Sequence, residues 1–321
     1  MRLQAPTLVF LLLSAPACRS TPQAAGPRET PYLLVLGTAQ DAGLPQIGCM
    51  EEPCRAAHED PSRRRLVTSL LLAEPGSGRR WLFDCTPDVR EQMELAASHP
   101  PGRDLPGPRP PLVEGIFLTH AHMGHYTGLM HFGREAYGAK QTPVHATPRF
   151  CEFLRQNGPW SLLVESGHLR LEPLVGAEPV VLSDDLRVRA LSVPHRDELS
   201  DTVAFLIEGP NRKALYLPDI DKWERWSTPI EEVLAGVDYA LLDGAFFAPD
   251  EIPGRDINEI PHPLVIESIE RFASLPEAER AKVHFTHLNH TNPVCDPSSA
   301  AAARVRQAGM QVAREGLLLE L

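Results

Sequence analysis

Phe117-Leu118-Thr119-His120-Ala121-His122-Met123-Gly124-His125-Tyr126-Thr127-Gly128-Leu129 is the stretch on which the rest of the chain turns. The residues leading into it, Val113-Glu114-Gly115-Ile116-Phe117-Leu118, are apolar and β-prone and read as a buried strand. The histidines fall where that strand ends, and Tyr126 to Tyr137 reads as a short helix. A strand end followed by a helix start is a rigid place from which to aim several imidazoles at one point. Neutral imidazole is the commonest protein ligand for zinc, and three ligands leave a coordination position for a reactive water. His120, His122 and His125, so close together and directly after a strand, point to a metal rather than to an ordinary polar loop.

Composition sets the outer limits. At 321 residues with 43% hydrophobic content, the chain can bury a sizeable core. A formal charge of −11 argues against nucleic acid held on a general basic surface, though not against a local basic pocket for an anionic substrate. The 32 prolines and 22 glycines imply many loops, and because apolar strands recur between them they do not imply disorder.

Residues 1–18 read as a leader. Arg2 supplies a positive start, Thr7 to Leu13 an apolar run too short to span a bilayer, and Ser14-Ala15-Pro16-Ala17 a small-residue approach to Cys18. A cysteine directly after small residues resembles a bacterial lipobox, which would make Cys18 the lipidated first residue. The usual leucine three places earlier is Ala15, so plain cleavage stays open. Residues 19–30 then form a tether, and 31–321 the folded domain. The expected location is the bacterial cell envelope, as a lipid-anchored protein attached to the membrane through Cys18 or as a periplasmic one. Five cysteines follow: Cys49, Cys54, Cys85, Cys151 and Cys295. Outside the cytoplasm an odd number leaves at least one free or bound to something else.

Outward from the histidines, strands alternate with helices. Tyr32 to Gly37 is a strand ending in glycine, followed by the loop Thr38 to Gly48. Leu66 to Leu72 and Arg80 to Asp84 are a strand pair across a turn-rich linker. Pro87 to Ala97 reads as an amphipathic helix, and Pro148 to Gln156 as a helix opened by proline. Extended runs cover His168 to Leu174 and Pro179 to Val193, the second closing on Ser192-Val193-Pro194-His195. Thr202 to Glu208 and Lys213 to Leu217 form a hairpin that ends in Pro218-Asp219. Tyr239 to Phe247 is a buried strand with Asp243 at its end. Pro261-His262-Pro263 precedes a helix over Leu264 to Ser274. Val283 to Pro293 is strand then loop, and a helix over Pro297 to Ala308 leads to a last strand, Met310 to Ala313. His131 and His145 read as ordinary surface or supporting residues.

With these motifs in place, the chain resembles the metallo-β-lactamase-fold hydrolases. His-Ala-His-Met-Gly-His is similar to their H-x-H-x-D-H motif, and the resemblance extends over residues 31–321. Within that superfamily it looks closest to pyrroloquinoline quinone biosynthesis protein B and its hydrolase-like relatives, whose opening loop is similar to Gly37-Thr38-Ala39-Gln40-Asp41-Ala42-Gly43. The resemblance implies an α/β fold, a four-layer αβ/βα sandwich with the site on strand-end loops between two sheets. It implies that His120, His122 and His195 hold one metal and that His125, Asp219 and His287 hold a second, with Asp219 shared. Asp84 would orient the ligands or the active-site loop, and His262 would be the general acid.

One departure stands out: the motif aspartate is Gly124. His290, where the relatives carry asparagine, is the expected compensating ligand, and Gly124→Asp is expected to tighten the second metal if the loop tolerates the carboxylate. The relatives also hold a structural zinc in a cysteine cluster. Here Cys49 and Cys54 remain, with His58 as a third candidate, against a disulfide or two free thiols.

The function so implied is hydrolysis of an ester, amide or phosphodiester in a small molecule by a metal-activated water, with two zinc ions, or iron or manganese, as the cofactor. Two alternatives are an iron-dependent oxygenase related to quinone-cofactor biosynthesis and a metal-binding protein without turnover. The leader reading is open to a direct test. Cys18→Ser should block processing or release the protein from the membrane fraction, and unchanged processing and membrane association would defeat the lipid anchor.

Overall fold

A computed structural model describes residues 29–99, 111–176, 178–252, 254 and 261–321. The leader, most of the tether and the proline-rich loop before Pro111 lie outside the described residues. No described helix is long and apolar enough to cross a membrane.

Among the described residues, fourteen strands form two seven-stranded sheets. In the first, β1 (Tyr32–Gly37) pairs antiparallel with β2 (Ser69–Glu74), and β2 with β3 (Arg79–Phe83). Next, β4 (Gly115–Phe117), β5 (Thr142–Ala146) and β6 (Leu169–Pro173) extend that sheet in parallel. In the second, β7 (Val180–Val181), β8 (Arg187–Ser192), β9 (Val203–Glu208) and β10 (Lys213–Leu217) run antiparallel in sequence. Then β11 (Tyr239–Asp243), β12 (Val283–Thr286) and β13 (Gln311–Val312) continue in parallel. A final strand, β14 (Leu318–Glu320), returns to the first sheet and pairs with β1.

The alternation of strand side chains builds the layers. On β1, Leu33 and Val35 face the space between the sheets, whereas Leu34 and Leu36 face outward. On β10, Ala214 and Tyr216 point between the sheets, and Leu215 and Leu217 outward. Both faces are covered, which is why Ala240-Leu241-Leu242 in β11 is continuously apolar. Phe83 and Phe117 stack at 5.0 Å between the sheets, with Phe205 edge-on to both.

Helices close the outer faces. On the first sheet lie α2 (Val89–Ala97), α4 (Pro148–Gln156) and α5 (Trp160–Glu165), which bury Val89, Phe150 and Leu163. Before all three in the chain is α1 (Glu52–Glu59), and between α2 and α4, after His122, is the single turn α3 (Met123–Tyr126). On the second sheet lie α6 (Ile230–Ala235), α7 (Val265–Phe272) and α9 (Ala300–Gln307), with the short α8 (Glu277–Arg280) before β12. Thr147 caps α4 by accepting from the Phe150 N–H, and Pro148 occupies a first-turn position that needs no donor. The arrangement is the expected αβ/βα sandwich.

Two local expectations differ. The helix read over Tyr126 to Tyr137 is α3 followed by a 3₁₀ segment, Thr127–Phe132. The Cys85 N–H donates to His125 O and the Gly128 N–H to Cys85 O, so the chain is tied to the loop after β3 and cannot continue a regular helix. A Cβ on Gly128 would lie 2.0 Å from Thr86 O, so glycine is what permits this backbone contact. The return strand β14 was also missed, because three residues carry almost no periodic signal.

The aromatic wedge between the sheets gives a stability prediction. Phe205→Ala should cost about 3–5 kcal/mol in urea unfolding, whereas Val181→Ala, at an exposed position, should stay within about 0.5 kcal/mol.

Candidate metal centre

All parallel strands of the two sheets deliver their C-terminal ends to the same edge of the sandwich. Asp84 follows β3, the histidine motif follows β4, Asp219 follows β10, Asp243 ends β11 and His287 follows β12. The antiparallel order of β8, β9 and β10 puts the end of β8, and with it His195, at that edge too. Residues far apart in sequence therefore meet there.

Asp219 is at the middle. His120 Nε2 lies 3.2 Å from Asp219 Oδ2, and His195 Nε2 lies 3.2 Å from Asp219 Oδ1. His122 Nδ1 is 4.0 Å from Asp219 Oδ2 and 2.9 Å from His120 Nε2. On the other side, His287 Nε2 and His125 Nε2 are 3.7 and 3.9 Å from Asp219 Oδ2. His262 Nδ1 approaches both Asp219 Oδ1, at 3.2 Å, and Asp243 Oδ2, at 2.8 Å. The potential ligand atoms form groups within 4.8 Å of one another: His120, His122, His195 and Asp219; Asp219, Asp243, His262 and His287; and Asp41, His125 and His287.

The surrounding hydrogen bonds decide which ring nitrogen faces inward. His125 Nδ1 donates to Asp84 Oδ2 at 2.8 Å, turning Nε2 toward the cluster. The Thr119 hydroxyl donates to the Asp84 carboxylate at 3.0 Å and accepts from His120 Nδ1 at 3.0 Å, leaving His120 Nε2 toward Asp219. His122 Nε2 donates to Glu198 Oε2 at 3.1 Å, so its Nδ1 is the inward atom. Metal-bound histidines commonly give their other N–H to a carboxylate or similar acceptor in this way.

The inward atoms are otherwise stranded. His125 Nε2, His195 Nε2, His287 Nε2, Asp41 Oδ1 and Asp219 Oδ1 are buried and lack an aligned hydrogen-bond partner. Burying even one such group unsatisfied costs on the order of 1–3 kcal/mol. Several converging on one small space fit a divalent cation, which takes lone pairs from nitrogen and carboxylate oxygen alike.

Electrostatics carry the same message. Burial disfavours charge on Asp219, yet the neighbouring His195, His287 and His262 hold its carboxyl well below the usual range. Burial likewise opposes protonation of His125, but Asp84 and Asp41 push it up to about 10. His195 rises to about 9 against burial because of Asp219 and Asp221. Burial holds His120 well below the usual histidine value. Without a cation the cluster thus balances its carboxylates with protons, and a metal would displace them.

The remaining expectations divide. Asp84 is fully buried, keeps φ at 60° and contacts the ligand-bearing loop through Thr119 and His125. His290 does not join the cluster. Its ring groups instead with Cys49 and Cys54, where His58 had been the candidate third ligand, and its Nδ1 is 3.1 Å from Asn289 Oδ1. The turn after His287 carries its side chain away from Asp219. All five cysteines in the described residues are unpaired, so Cys49 and Cys54 form no disulfide. Sequence reasoning missed Glu198 and Asp221, which contact His122 and His195, and Asp41, which joins His125 and His287. For Glu198 and Asp221 no motif existed. For Asp41 the signal was a carboxylate in the opening loop coupled to a glycine at 124.

A family model described as beta-lactamase superfamily domain matches residues 79–288, more than half of the chain. The chain belongs to the beta-lactamase superfamily. Coenzyme PQQ synthesis protein B of Methylobacterium nodulans is 29% identical over 312 residues, covering 90% of this chain and 99% of that protein. The crystal structure of zinc-bound PqqB from Methylobacterium extorquens superposes with a TM-score of 0.76 at 23% identity, covering 90% of this chain and all of that one. A diphosphatase of the PhnP family superposes with a TM-score of 0.64 at 23% identity, covering 91% of this chain and 97% of that one.

If the cluster takes up a metal, zinc at a thousandfold excess over its Kd should stabilise the metal-free chain by about 4 kcal/mol in urea unfolding. Asp219→Ala should remove most of that gain and His58→Ala none of it. Stability indifferent to zinc, iron and manganese would defeat the metal reading.

Proposed function

We propose that this chain is a metal-dependent hydrolase acting on an ester, amide or phosphodiester bond of a small molecule. The observation that carries the reading is the convergence of buried, unpartnered histidine and carboxylate atoms around Asp219. His120, His122, His195 and Asp219 would hold one ion. His125 and His287, with Asp219 between the two groups, would contribute to a second. Zinc so held supplies a water acidic enough to attack near neutral pH and polarises the scissile group.

The chain's own residues do the rest. Asp84 and Glu198 take the outward N–H of His125 and His122, so that the inward nitrogens would face a metal once it displaces their protons. His262 lies ring to ring with His195 at 5.5 Å and with His287 at 5.9 Å, between the two groups. Its contact with Asp243 holds a proton on the ring, and this placement suits protonation of a leaving group. A cavity of about 470 Å³ adjoins the centre, lined in part by Asp41, Phe246, Ile252 and His290, a size suited to a small molecule. The neighbouring diphosphatase of like fold supports including phosphoryl substrates. With the leader read as a lipid anchor, the work would be done at the cell envelope.

An iron-dependent oxygenase is the second reading, supported by likeness to a protein named for coenzyme PQQ synthesis. The two separate in one experiment. The zinc- or manganese-loaded chain should turn over at least one of p-nitrophenyl acetate, nitrocefin and bis-p-nitrophenyl phosphate. Asp219→Asn should reduce that rate by roughly a hundredfold or more, because it removes a charged ligand that both groups of residues share. Oxygen consumption by the iron form, with no hydrolysis in any form, would overturn the proposal.

A further inference from the structure

The superfamily motif carries an aspartate where this chain has Gly124, yet a carboxylate still stands beside His125 and His287. It belongs to Asp41, in the loop after β1. A Cβ built on Gly124 would lie 2.2 Å from Asp41 Oδ1, 2.9 Å from Asp41 Cγ and 2.6 Å from Asp41 Cα. The space that a side chain at 124 would enter is therefore already filled by the Asp41 carboxylate and its backbone. We propose that Asp41 supplies the carboxylate ligand of the second metal position in place of a residue at 124, an inference that rests on the metal-centre reading above.

Three further observations support it. Asp41 Oδ1 is 3.5 Å from His125 Nε2 and 3.9 Å from His287 Nε2. Those three atoms are all buried and all lack a hydrogen-bond partner. The ion-pair neighbours of Asp41 among the described residues are these two histidines and no lysine or arginine, so no permanently charged side chain holds its carboxylate.

The loop is also held in place rather than merely passing by. Ala39 bridges both Val67 and Leu288. The Gln40 N–H donates to Leu288 O at 2.9 Å, and the Leu288 N–H donates to Thr38 O at 2.8 Å. Asp41 is thus one residue from a backbone contact with the neighbour of His287. Such a tie fixes the carboxylate relative to the histidine with little conformational freedom left to lose on binding.

Glycine at 124 and aspartate at 41 then form a single exchange, since each is possible because of the other. Any side chain at 124 would strike the Asp41 backbone as well as its carboxylate. Gly124→Asp is accordingly not the strengthening change that the motif alone implies. His290, the compensating ligand expected from sequence, is engaged with Asn289 and grouped with Cys49 and Cys54.

The test is metal content per chain after zinc loading and dialysis against graded chelator, with urea unfolding as a check on folding. The unaltered chain should retain two zinc ions. Asp41→Asn, which keeps shape and loses charge, should retain one, with affinity for the second reduced by more than roughly a hundredfold. Gly124→Asp alone should lose the second ion and unfold at lower urea. Two ions held by Asp41→Asn with unchanged chelator resistance would overturn the inference, as would one ion in both the unaltered chain and Asp41→Asn. An unaltered chain that takes up no zinc, iron or manganese would instead sink the metal-centre reading itself.

Discussion

The buried carboxylate of Asp84 is the constraint on which the site depends. It accepts from the Thr119 N–H at 2.9 Å, the Thr119 hydroxyl at 3.0 Å, His125 Nδ1 at 2.8 Å and the Tyr216 hydroxyl at 3.1 Å. Asp84 and Thr119 follow adjacent strands of the first sheet, whereas Tyr216 lies in β10 of the second. One side chain therefore joins the two sheets directly beneath the histidines. Removing a carboxylate from water costs several kcal/mol, which is recovered only when its lone pairs are filled. The arrangement fills them with the donors whose other ends face the cluster, so the same bonds that make Asp84 tolerable also aim His125 and His120.

Backbone conformation shows a related compromise. Asp84 and His287 have φ of 60° and 59°, a region that side chains other than glycine, asparagine and aspartate seldom occupy. Each directly follows a strand, β3 and β12, and each turns its side chain sharply into the edge where the sheets meet. Such conformations persist where surrounding structure over-determines them, and they concentrate at functional sites. Here backbone hydrogen bonds to neighbouring segments supply the constraint. The Asp84 N–H donates to Phe117 O at 2.8 Å, and the Leu288 N–H that follows His287 donates to Thr38 O at 2.8 Å.

Charge balance links the site to its surroundings. Asp219, buried among six histidine rings, would be a poor core residue on its own. Its neighbours stabilise the ionised form, and it in turn raises His195 and His262. Outside that group stand Glu198 on His122, Asp221 on His195 and Asp243 on His262. A centre built from alternating carboxylate and imidazole can accept a dication by giving up protons rather than by rearranging heavy atoms. That is a low-cost way to keep a binding geometry formed in advance.

The strand-end histidines and the strand termini at His195, Asp219 and His287 were legible in the sequence from local pattern, an apolar run and its end, whereas the αβ/βα layering and the ligand roles of those termini came from the family resemblance. The helices α2, α4, α7 and α9 were legible from local pattern too, to within a few residues. Tertiary structure alone decided what lies beside what. That Asp41 fills the space above Gly124, that His290 turns toward Cys49 and Cys54, and that Glu198 and Asp221 orient His122 and His195 are contacts between segments tens or hundreds of residues apart. The helix expected after Tyr126 failed likewise, because the loop after β3 captures its backbone. Periodicity and motif spacing report the forces within a segment. The close approach of two backbones at a glycine is settled by packing between segments, which no single stretch of sequence records.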